Sequence, residues 1–429
     1  VGGIGGDYGE IHMRLWEYLK EKMLRYADRT AFAGTGLTYA ELLRFDEIGG
    51  GRGALTVCGE NTREATAREI LKSIAKGDTV VPVAKEYGEK WCANVREAVR
   101  ANGQVCGETA FVMFTSGTTG VPKGVMLTDE NIIFNLKYIS SYFDLSGLSR
   151  ICVARPLAHI SALTGELLYA LCCGMTIYFY EETFMPQRFL RFLREKRIEV
   201  FCATPTLYLS LVKYSAKDFP VKVSALSGER LTETTAKKIS ESFPKTKFYN
   251  VYGLTEHSPR VSALLPDEFV KKAGSIGKPI GNANVKIEDG ELLVKSPCVM
   301  KGYYRDEIRT REKIKEGWLY TGDMAHTDGE GYYYIDGRKD DMIIRAGINI
   351  FPEEIEEEVK KCPNVEDCIV CGRTGEDGVT EICLNYIGEC EPAALRKYLA
   401  GNLNAHFMPN VIDRTDKLQR TASGKKVRK

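Results

Sequence analysis

The sequence lacks any long apolar run. No hydrophobic stretch approaches the roughly 18 residues that cross a bilayer, and the first residues do not have the pattern of a signal peptide. The 429 residues carry 59 basic and 58 acidic side chains, so the formal net charge is only +1. Nucleic acids and anionic membranes both attract an excess of positive charge. Neither is therefore expected as a partner.

Histidine is scarce too. The chain has five histidines, and none is spaced with cysteines or acids as in a zinc site. The 13 cysteines are scattered, several of them within apolar segments, which is typical of buried thiols in a reducing compartment. Hydrophobic residues make up 44% of the chain, enough for a large core. These features predict a soluble, cytoplasmic globular protein, either a monomer or a homodimer.

The first two thirds of the chain alternate short apolar strands with helical patterns. A helix is expected to begin at Thr128, whose hydroxyl can cap it before the acids that follow. This alternation, from about residue 54 to 265, is typical of an α/β core rich in parallel sheet. The strand candidates are residues 110–114, 152–154, 175–180, 200–203 and 247–251.

The pattern changes after residue 270. Short alternating strands separated by Asp-Gly turns predict a small antiparallel β unit at about 270–337. Residues 337–341, Gly-Arg-Lys-Asp-Asp, have the polar composition of a domain joint. Beyond it, helices led by Pro352 and Pro392 and strands near 366–371 and 380–387 predict an α+β domain. We therefore expect an N-terminal domain of residues 1–338 and a C-terminal domain of residues 339–429.

The most specific segment is residues 115–123, Thr-Ser-Gly-Thr-Thr-Gly-Val-Pro-Lys, which follows a buried strand. Its glycines allow backbone N–H groups to converge on an anion, its hydroxyls add donors, and Lys123 adds a positive charge. The glycine-to-lysine spacing differs from a Walker A loop, and a strand rather than a helix follows. The segment predicts a phosphate-binding loop; the alternative is a hairpin loop made of small residues.

The segment resembles the signature of the adenylate-forming superfamily, which includes acyl-CoA synthetases, stand-alone adenylation domains and luciferase-like enzymes. Other segments similar to that family's motifs occur in the family's order along nearly the whole chain: residues 37–42 before this segment, and residues 249–256, 320–323, 337–341, 347–352 and 421–425 after it. The resemblance implies a large N-terminal domain of layered α/β subdomains and a small, mobile α+β C-terminal domain. It also implies a reaction in which a carboxylate and ATP give an acyl-adenylate and pyrophosphate, followed by transfer to a thiol.

The side chains in these segments suit a bound nucleotide. Tyr252 can lie along a purine, Thr255 can donate to the α-phosphate, and Glu256 is an oxygen ligand suited to Mg²⁺. Asp323 can accept both ribose hydroxyls, although it can equally cap a turn. The resemblance implies the following ATP-binding residues: Thr115, Ser116, Gly117, Thr118, Thr119, Gly120, Lys123, Gly228, Glu229, Asn250, Tyr252, Gly253, Thr255, Asp323 and Arg338.

The catalytic residues that the resemblance implies are Lys425, Thr255, Glu256 and His159. Lys425 would bridge the substrate carboxylate and the α-phosphate. Without the resemblance, its surroundings would be interpreted as a solvent-exposed basic tail. His159 corresponds to a gate beside the incoming carboxylate; the alternative is a hydrogen-bonded histidine at a helix start. Asp340 corresponds to the hinge for domain rotation, and Gly347 to the thiol tunnel.

The acid pocket implied by the resemblance is lined by His159, Ile160, Ser161, Thr164, Tyr249 and Val251. Amino-acid-activating members usually carry an aspartate at the position of Ile160, so an aliphatic or aromatic acid is expected here. The expected acceptor is coenzyme A. The alternatives are the phosphopantetheine of a carrier protein acting in trans, or an amine, and a non-catalytic nucleotide-binding scaffold is a third hypothesis. The stretch of about 70 residues before Thr115 is compact for the family, which implies a trimmed first subdomain.

Overall fold

Two β-sheets with helices packed around them form most of the chain in a computed structural model. The structure describes residues 13–47, 53–59, 61–100, 107–115, 123–214, 218–345, 348–374, 380–420 and 426–428. Among these residues, no helix has both the length and the apolar content that a membrane span requires.

The strands of the described residues are numbered in chain order as β1 (Thr30–Phe32), β2 (Leu37–Thr38), β3 (Leu55–Cys58), β4 (Thr79–Pro82), β5 (Thr109–Thr115), β6 (Lys123–Thr128), β7 (Arg150–Val153), β8 (Thr176–Phe179), β9 (Val200–Phe201), β10 (Val223–Leu226), β11 (Lys247–Gly253), β12 (Arg260–Leu264), β13 (Ser275–Pro279), β14 (Asn284–Glu288), β15 (Glu291–Lys295), β16 (Gly302–Tyr303), β17 (Ile314–Lys315), β18 (Trp318–Thr327), β19 (Tyr333–Arg338), β20 (Ile343–Arg345), β21 (Ile348–Ile350), β22 (Val365–Thr374), β23 (Thr380–Gly388) and β24 (Val411–Arg414).

The α-helices are α1 (Leu15–Met23), α2 (Tyr39–Leu43), α3 (Arg63–Lys76), α4 (Glu89–Arg100), α5 (Asp129–Ser140), α6 (Ile160–Ala162), α7 (Tyr169–Cys172), α8 (Pro186–Glu195), α9 (Pro205–Val212), α10 (Glu233–Ser242), α11 (Glu307–Lys313), α12 (Pro352–Val359) and α13 (Pro392–Asn402). A π-helical segment, Leu163–Leu168, joins α6 to α7. Such segments are frequent at functional sites.

The larger sheet has the strand order β14-β15-β18-β19-β13-β12-β11-β10-β9-β7-β8-β1-β2. Its strands from β11 to β1 are parallel, and those from β11 to β14 are antiparallel. The second sheet has the order β16-β6-β5-β4-β3. The predicted parallel core is therefore confirmed, with β5, β7, β8, β9 and β11 at the expected places.

The strands after residue 270 are antiparallel, as the change of pattern predicted. Strand β12 pairs with β11 on one side and β13 on the other, and β13 pairs in turn with β19. These strands therefore continue the large sheet beyond its parallel part. This continuity brings β18 and β19 to the end of β11.

The last part of the chain has its own core. Strands β22, β23 and β24 form a three-stranded sheet, and β20 and β21 form a hairpin. Apolar side chains from these strands, α12 and α13 make a separate buried cluster that includes Ile355, Val370, Leu384 and Leu399. The predicted helices at Pro352 and Pro392 are confirmed as α12 and α13.

Helix α5 fixes the turn that leads into β12. As predicted, Thr128 caps this helix by accepting a hydrogen bond from the Asn131 amide. The fully buried Asn135 donates from its amide nitrogen to the carbonyls of His257 and Arg260 at 3.1 and 3.0 Å. Its amide oxygen accepts from the Arg260 N–H at 3.3 Å. One side chain thus satisfies three backbone groups of the turn.

Replacing Asn135 with alanine should leave those three backbone groups without partners away from water. We expect Asn135→Ala to lower the free energy of unfolding by about 2–4 kcal/mol, measured from urea unfolding. Ser140→Ala, at an exposed position on the same helix, should change it by less than about 0.5 kcal/mol. Equal stabilities of the two variants would contradict this role of Asn135.

Candidate active site

Tyr252, Asp323 and Arg338 meet where β11 ends beside β18 and β19, and we call these three residues the Asp323 corner. Asp323 lies opposite Arg338 in the β18–β19 pairing. The Tyr252 hydroxyl donates to Asp323 Oδ2, and Arg338 Nη1 donates to Asp323 Oδ1 at 2.7 Å. The buried Asp323 carboxylate thus joins Tyr252, which lies 71 residues earlier in the sequence, to Arg338, which lies 15 residues later.

The protonation of the corner follows from its burial. Burial, and then the adjacent Asp323 carboxylate, raise the pKa of the Tyr252 hydroxyl well above its usual range. The hydroxyl therefore stays protonated and donates to the carboxylate. Asp323 accepts from this hydroxyl next to a guanidinium, which is an arrangement suited to a ligand that carries hydroxyls and phosphate.

A second carboxylate holds the shoulder of the corner in place. Glu291 Oε1 accepts from the Gly322 N–H at 2.9 Å, and its Oε2 accepts from Lys339 Nζ at 2.8 Å. Thr321 Oγ1 accepts from the Asp323 N–H at 3.0 Å. These bonds fix the backbone on both sides of Asp323. The sequence analysis did not identify Glu291, because nothing in its local pattern shows that it lies beside Gly322.

Thr255 and Glu256 lie in a short 3₁₀ turn directly after β11. The Tyr303 hydroxyl donates to Glu256 Oε1 at 2.9 Å, and the Met300 N–H donates to the Glu256 carbonyl at 2.9 Å. Tyr303 belongs to β16, whose pairing with β6 places it opposite Val125. The strand that begins at Lys123 is therefore linked through β16 to Glu256.

The predicted phosphate loop is bounded by two paired residues. Thr115 lies opposite Lys123 in the antiparallel pairing of β5 and β6, so the two ends of the segment meet. The predicted loop residues between them lie outside the described residues: Ser116, Gly117, Thr118, Thr119 and Gly120.

His159 begins the helix that leads into the predicted acid pocket. Its Nδ1 accepts from the Ser161 N–H at 3.3 Å, so the ring caps α6. Ile160, Ser161 and Thr164 follow as buried residues. This hydrogen bond agrees with the alternative of a hydrogen-bonded histidine at a helix start. The ring is half-buried, and its role as a gate beside the carboxylate stays a prediction.

The remaining predicted residues line the ends of β10 and β11. Tyr249 and Val251 are buried, and Asn250 donates to the Ser275 carbonyl at 2.8 Å. Gly228 has a φ of +89°, a conformation that favours glycine in this turn. Glu229 Oε2 accepts from the Thr206 N–H at 3.0 Å and so anchors the turn to α9.

A comparison with known proteins identifies the family. Residues 55–304 match the family model described as AMP-binding enzyme. The chain belongs to the AMP-binding enzyme family. Residues 354–425 match the model described as the AMP-binding enzyme C-terminal domain. The resemblance inferred from the sequence motifs is therefore confirmed.

Two relatives of this AMP-binding enzyme are named for the acids that they activate. The feruloyl-CoA synthase of an Amycolatopsis species is 32% identical over 337 residues, which cover 74% of this chain and 68% of that protein. The long-chain-fatty-acid–CoA ligase of Bacillus subtilis is 30% identical over 346 residues, which cover 75% of this chain and 61% of that protein. The chain thus spans between three fifths and about two thirds of the length of these relatives.

The fold is that of a solved CoA synthetase. The o-succinylbenzoate CoA synthetase of Bacillus subtilis, in complex with its acyl-adenylate intermediate, gives a TM-score of 0.84 at 24% identity, covering 97% of each chain. The same protein in complex with ATP and magnesium ion gives 0.85 at 23% identity, covering 97% of this chain and 98% of that one. The predicted fold class is confirmed.

Three residues were predicted for the C-terminal part of the chain: Asp340 as the hinge, Gly347 at the thiol tunnel and Lys425 as a catalytic residue. Asp340 is exposed in a 3₁₀ turn between β19 and β20. Gly347 and Lys425 lie outside the described residues. The residues flanking Lys425 are fixed on the C-terminal domain: Arg420 pairs with Lys426, and Lys426 Nζ lies 2.6 Å from Glu356 Oε2.

Beside Glu256 lies a buried histidine that the sequence analysis did not single out. His257 is fully buried; its Nδ1 lies 2.9 Å from the Arg260 carbonyl and its Nε2 2.7 Å from Ser296 Oγ. Burial lowers the pKa of His257 to about 4. Sequence reasoning had no means to detect it, because its partners are backbone and a serine 39 residues away.

This buried histidine predicts a specific acid sensitivity. Because the unfolded chain takes up the proton at about pH 6.5 and the folded chain only near pH 4, the native state should lose stability as pH falls through that window. We expect the free energy of unfolding of the wild type to fall more steeply than that of His257→Gln between about pH 6.5 and 4.5 in urea titrations. Parallel pH profiles would contradict this assignment.

Proposed function

We propose that this AMP-binding enzyme activates a carboxylic acid with ATP and transfers the acyl group to the thiol of coenzyme A. The observation that carries the proposal is the Asp323 corner, which offers a flat ring, a carboxylate and a guanidinium within one hydrogen-bonded unit. Membership of a family whose relatives include feruloyl-CoA synthase and a fatty-acid–CoA ligase supports the same conclusion.

In the proposed complex the corner binds the nucleoside of ATP. The Tyr252 ring lies along the purine, with Gly228, Glu229, Asn250 and Gly253 around it. Asp323 accepts the ribose hydroxyls, and Arg338 approaches the ribose or the phosphates. Thr255 donates to the α-phosphate, and Lys123 with the loop of residues 115–120 holds the phosphates that leave. These roles place donors and positive charge along the nucleotide from base to γ-phosphate.

Glu256 fits a magnesium ion that arrives with the nucleotide. The described residues contain no cluster of three or more potential metal-ligating side chains. Mg²⁺ in nucleotide sites is usually held by one or two carboxylates together with substrate phosphates, so a single glutamate suffices. Tyr303 orients that carboxylate from the side of Oε1. The ion would supply charge that offsets the phosphate oxygens.

The first half-reaction joins two anions, so charge neutralisation and alignment dominate it. A carboxylate oxygen of the acid bonds to the α-phosphorus, and the bond from that phosphorus to the pyrophosphate oxygen breaks. Lys425 bridges the carboxylate and the α-phosphate as the pentavalent arrangement forms. His159 lies beside the incoming carboxylate, and Ile160, Ser161, Thr164, Tyr249 and Val251 line the acid pocket.

The second half-reaction needs a different wall of the site. The sulfur bonds to the acyl carbon, AMP leaves with the carboxyl oxygen, and the thiol proton passes to solvent. We infer that the C-terminal domain, residues 339–429, rotates about Asp340 and presents Gly347 to the thiol. The exposure of the Asp340 turn and the separate core of the C-terminal domain support this boundary after residue 338.

The test is acid-dependent ATP–pyrophosphate exchange over short-chain, medium-chain, aryl and amino acids, followed by thioester detection by mass spectrometry. We expect exchange with at least one acid that is not an amino acid, and an acyl-CoA product. Thioester on a phosphopantetheine carrier protein and none on coenzyme A would overturn the proposed acceptor. Exchange at background with every acid would favour a non-catalytic scaffold.

The role of Asp323 can be separated from general damage by using nucleotides that lack a ribose hydroxyl. The wild type should lose about tenfold in kcat/KM with 2′- or 3′-deoxy-ATP, because a hydrogen bond to a charged acceptor is lost. Asp323→Asn should lower kcat/KM for ATP and shrink that penalty to about threefold or less.

Asp336→Asn removes a charge from the same strand as Arg338 and should keep the full deoxy-ATP penalty. An undiminished penalty in Asp323→Asn would contradict contact between Asp323 and the ribose.

A further inference from the structure

The chain is held on the C-terminal domain on both sides of residues 421–425, which lie outside the described residues and which we call the lysine loop. Arg420 and Lys426, the residues directly before and after the loop, face each other in an antiparallel bridge. The Val427 N–H donates to the Gln419 carbonyl at 3.1 Å. These backbone contacts bring the two flanks of the loop together.

One carboxylate contacts both flanks of the lysine loop. Asp367, on β22, accepts a hydrogen bond from Arg420 Nη2 through its Oδ2, and its Oδ1 lies 3.6 Å from Lys426 Nζ. The same Oδ1 lies 3.1 Å from Lys360 Nζ, just after α12. The Asp367 side chain is only 24% exposed, so solvent screens these pairs less than it does at an open surface. Asp367 thus joins the residue before the loop to the residue after it.

A second carboxylate holds the residues that follow the loop. Glu356, on α12, is 5% exposed; its Oε2 accepts from Lys426 Nζ at 2.6 Å, and its Oε1 accepts from Arg428 Nη2 at 3.1 Å. Glu356 Oε1 also accepts from the Val370 N–H at 2.9 Å, which fixes the carboxylate against β22. The chain after the loop is therefore attached to the core of the C-terminal domain.

Arg428 extends this cluster of charges to the domain joint. Its Nη1 donates to Asp341 Oδ2 at 3.2 Å, and its Nη2 lies 3.0 Å from Glu353 Oε1. Asp341 directly follows Asp340, the predicted hinge, in the sequence. One guanidinium thus joins the chain after the lysine loop to the chain after the hinge, so a rotation about Asp340 would carry the loop with it.

A lysine near the end of a chain needs such support to act at a defined atom. The last residues of a domain fray unless other contacts hold them, and the four-carbon stem of a lysine is itself flexible. A displacement of about 1 Å at a reacting centre costs about 100-fold in rate. The ion pairs described above converge on the two flanks of one loop, where they restrict that loop most.

We propose that Asp367 and Glu356 are positioning residues for Lys425 in the first half-reaction. This inference rests on the proposed function, which assigns Lys425 to the step at the α-phosphorus. The two carboxylates act on that step only through the flanks of the lysine loop, which they hold so that the Lys425 ammonium reaches the site in one arrangement. The second half-reaction does not use Lys425 and therefore does not depend on them.

The test measures the two half-reactions separately, with an acid that supports pyrophosphate exchange and with the preformed acyl-adenylate of that acid. Asp367→Asn keeps the shape of the side chain but removes its charge. Lys360, Arg420 and Lys426 then lie close together without the acid that they share. We expect kcat for pyrophosphate exchange to fall by about tenfold or more, while acyl transfer from the preformed adenylate stays within about twofold. Equal losses in both half-reactions, or no loss in the first, would overturn the proposal.

Glu366→Gln is the matched control, because it removes a charge from the exposed neighbour of Asp367 on β22. It should leave both half-reactions within about twofold of the wild type. Both variants are assayed at a temperature at which circular dichroism shows them to be folded. A loss of pyrophosphate exchange in Glu366→Gln equal to that in Asp367→Asn would contradict the specific role of Asp367.

A double-mutant cycle tests whether Glu356 acts through Lys426, and it also tests the proposal should Asp367→Asn fail to fold. Glu356→Gln and Lys426→Gln each remove one side of the 2.6 Å ion pair. Because the pair acts as one unit, the double variant should lose no more than about threefold in kcat for pyrophosphate exchange beyond the more affected single variant. Losses that multiply in full would overturn the role of Glu356.

A measurement without turnover separates this proposal from the proposed reaction. Hydrogen exchange of the Val427 amide, followed by mass spectrometry in peptides that contain it, reports whether the flanks of the lysine loop stay paired. It should be about fivefold faster in Asp367→Asn than in the wild type and unchanged in Glu366→Gln. If no acid supports pyrophosphate exchange, the proposed function fails, while faster hydrogen exchange at Val427 still supports the role of Asp367 in holding the loop. Unchanged hydrogen exchange at Val427 in Asp367→Asn overturns that role.

Discussion

The site depends on the sharp reversal of the chain between β11 and β12. Gly253 ends β11, and a Cβ at this position would lie 2.1 Å from the Pro259 carbonyl oxygen, so only glycine permits the two strands to approach. The reversal places Tyr252, Glu256 and Arg260 within one turn, each facing a different part of the molecule. Asn135 then closes the turn by satisfying its backbone groups from helix α5. The aromatic ring of Tyr252, the carboxylate of Glu256 and the guanidinium of Arg260 thus come from one short segment.

Charge is distributed unevenly around that turn. Asp323 and Glu291 lie at the edge of the large sheet, where each carboxylate contacts a basic side chain at the domain joint. On the other side of the turn, Arg155 forms an ion pair with the fully buried Glu166.

The sequence predicted those features of the fold and the site that depend on neighbouring residues. The strands β5, β7, β8 and β11 and the cap at Thr128 were predictable because apolar runs and helix caps are local properties. The corner residues Tyr252, Asp323 and Arg338 were predicted because their segments resemble motifs of the adenylate-forming family.

The residues that were missed act through contacts far apart in sequence. Tyr303, for example, has no local feature that connects it to Glu256. The sequence also did not indicate that these strands continue the large sheet, because the pairing of β13 with β12 and β19 leaves no trace in the local pattern. Long-range packing, not local propensity, decided these features.

The most direct measurement of the central claim is a crystal structure of the protein with an acyl-sulfamoyl adenosine, a stable mimic of an acyl-adenylate. We expect the base along Tyr252, both ribose hydroxyls on Asp323 and the sulfamoyl group at Thr255. Adenosine bound elsewhere, with Asp323 still closed upon Tyr252 and Arg338, would contradict it.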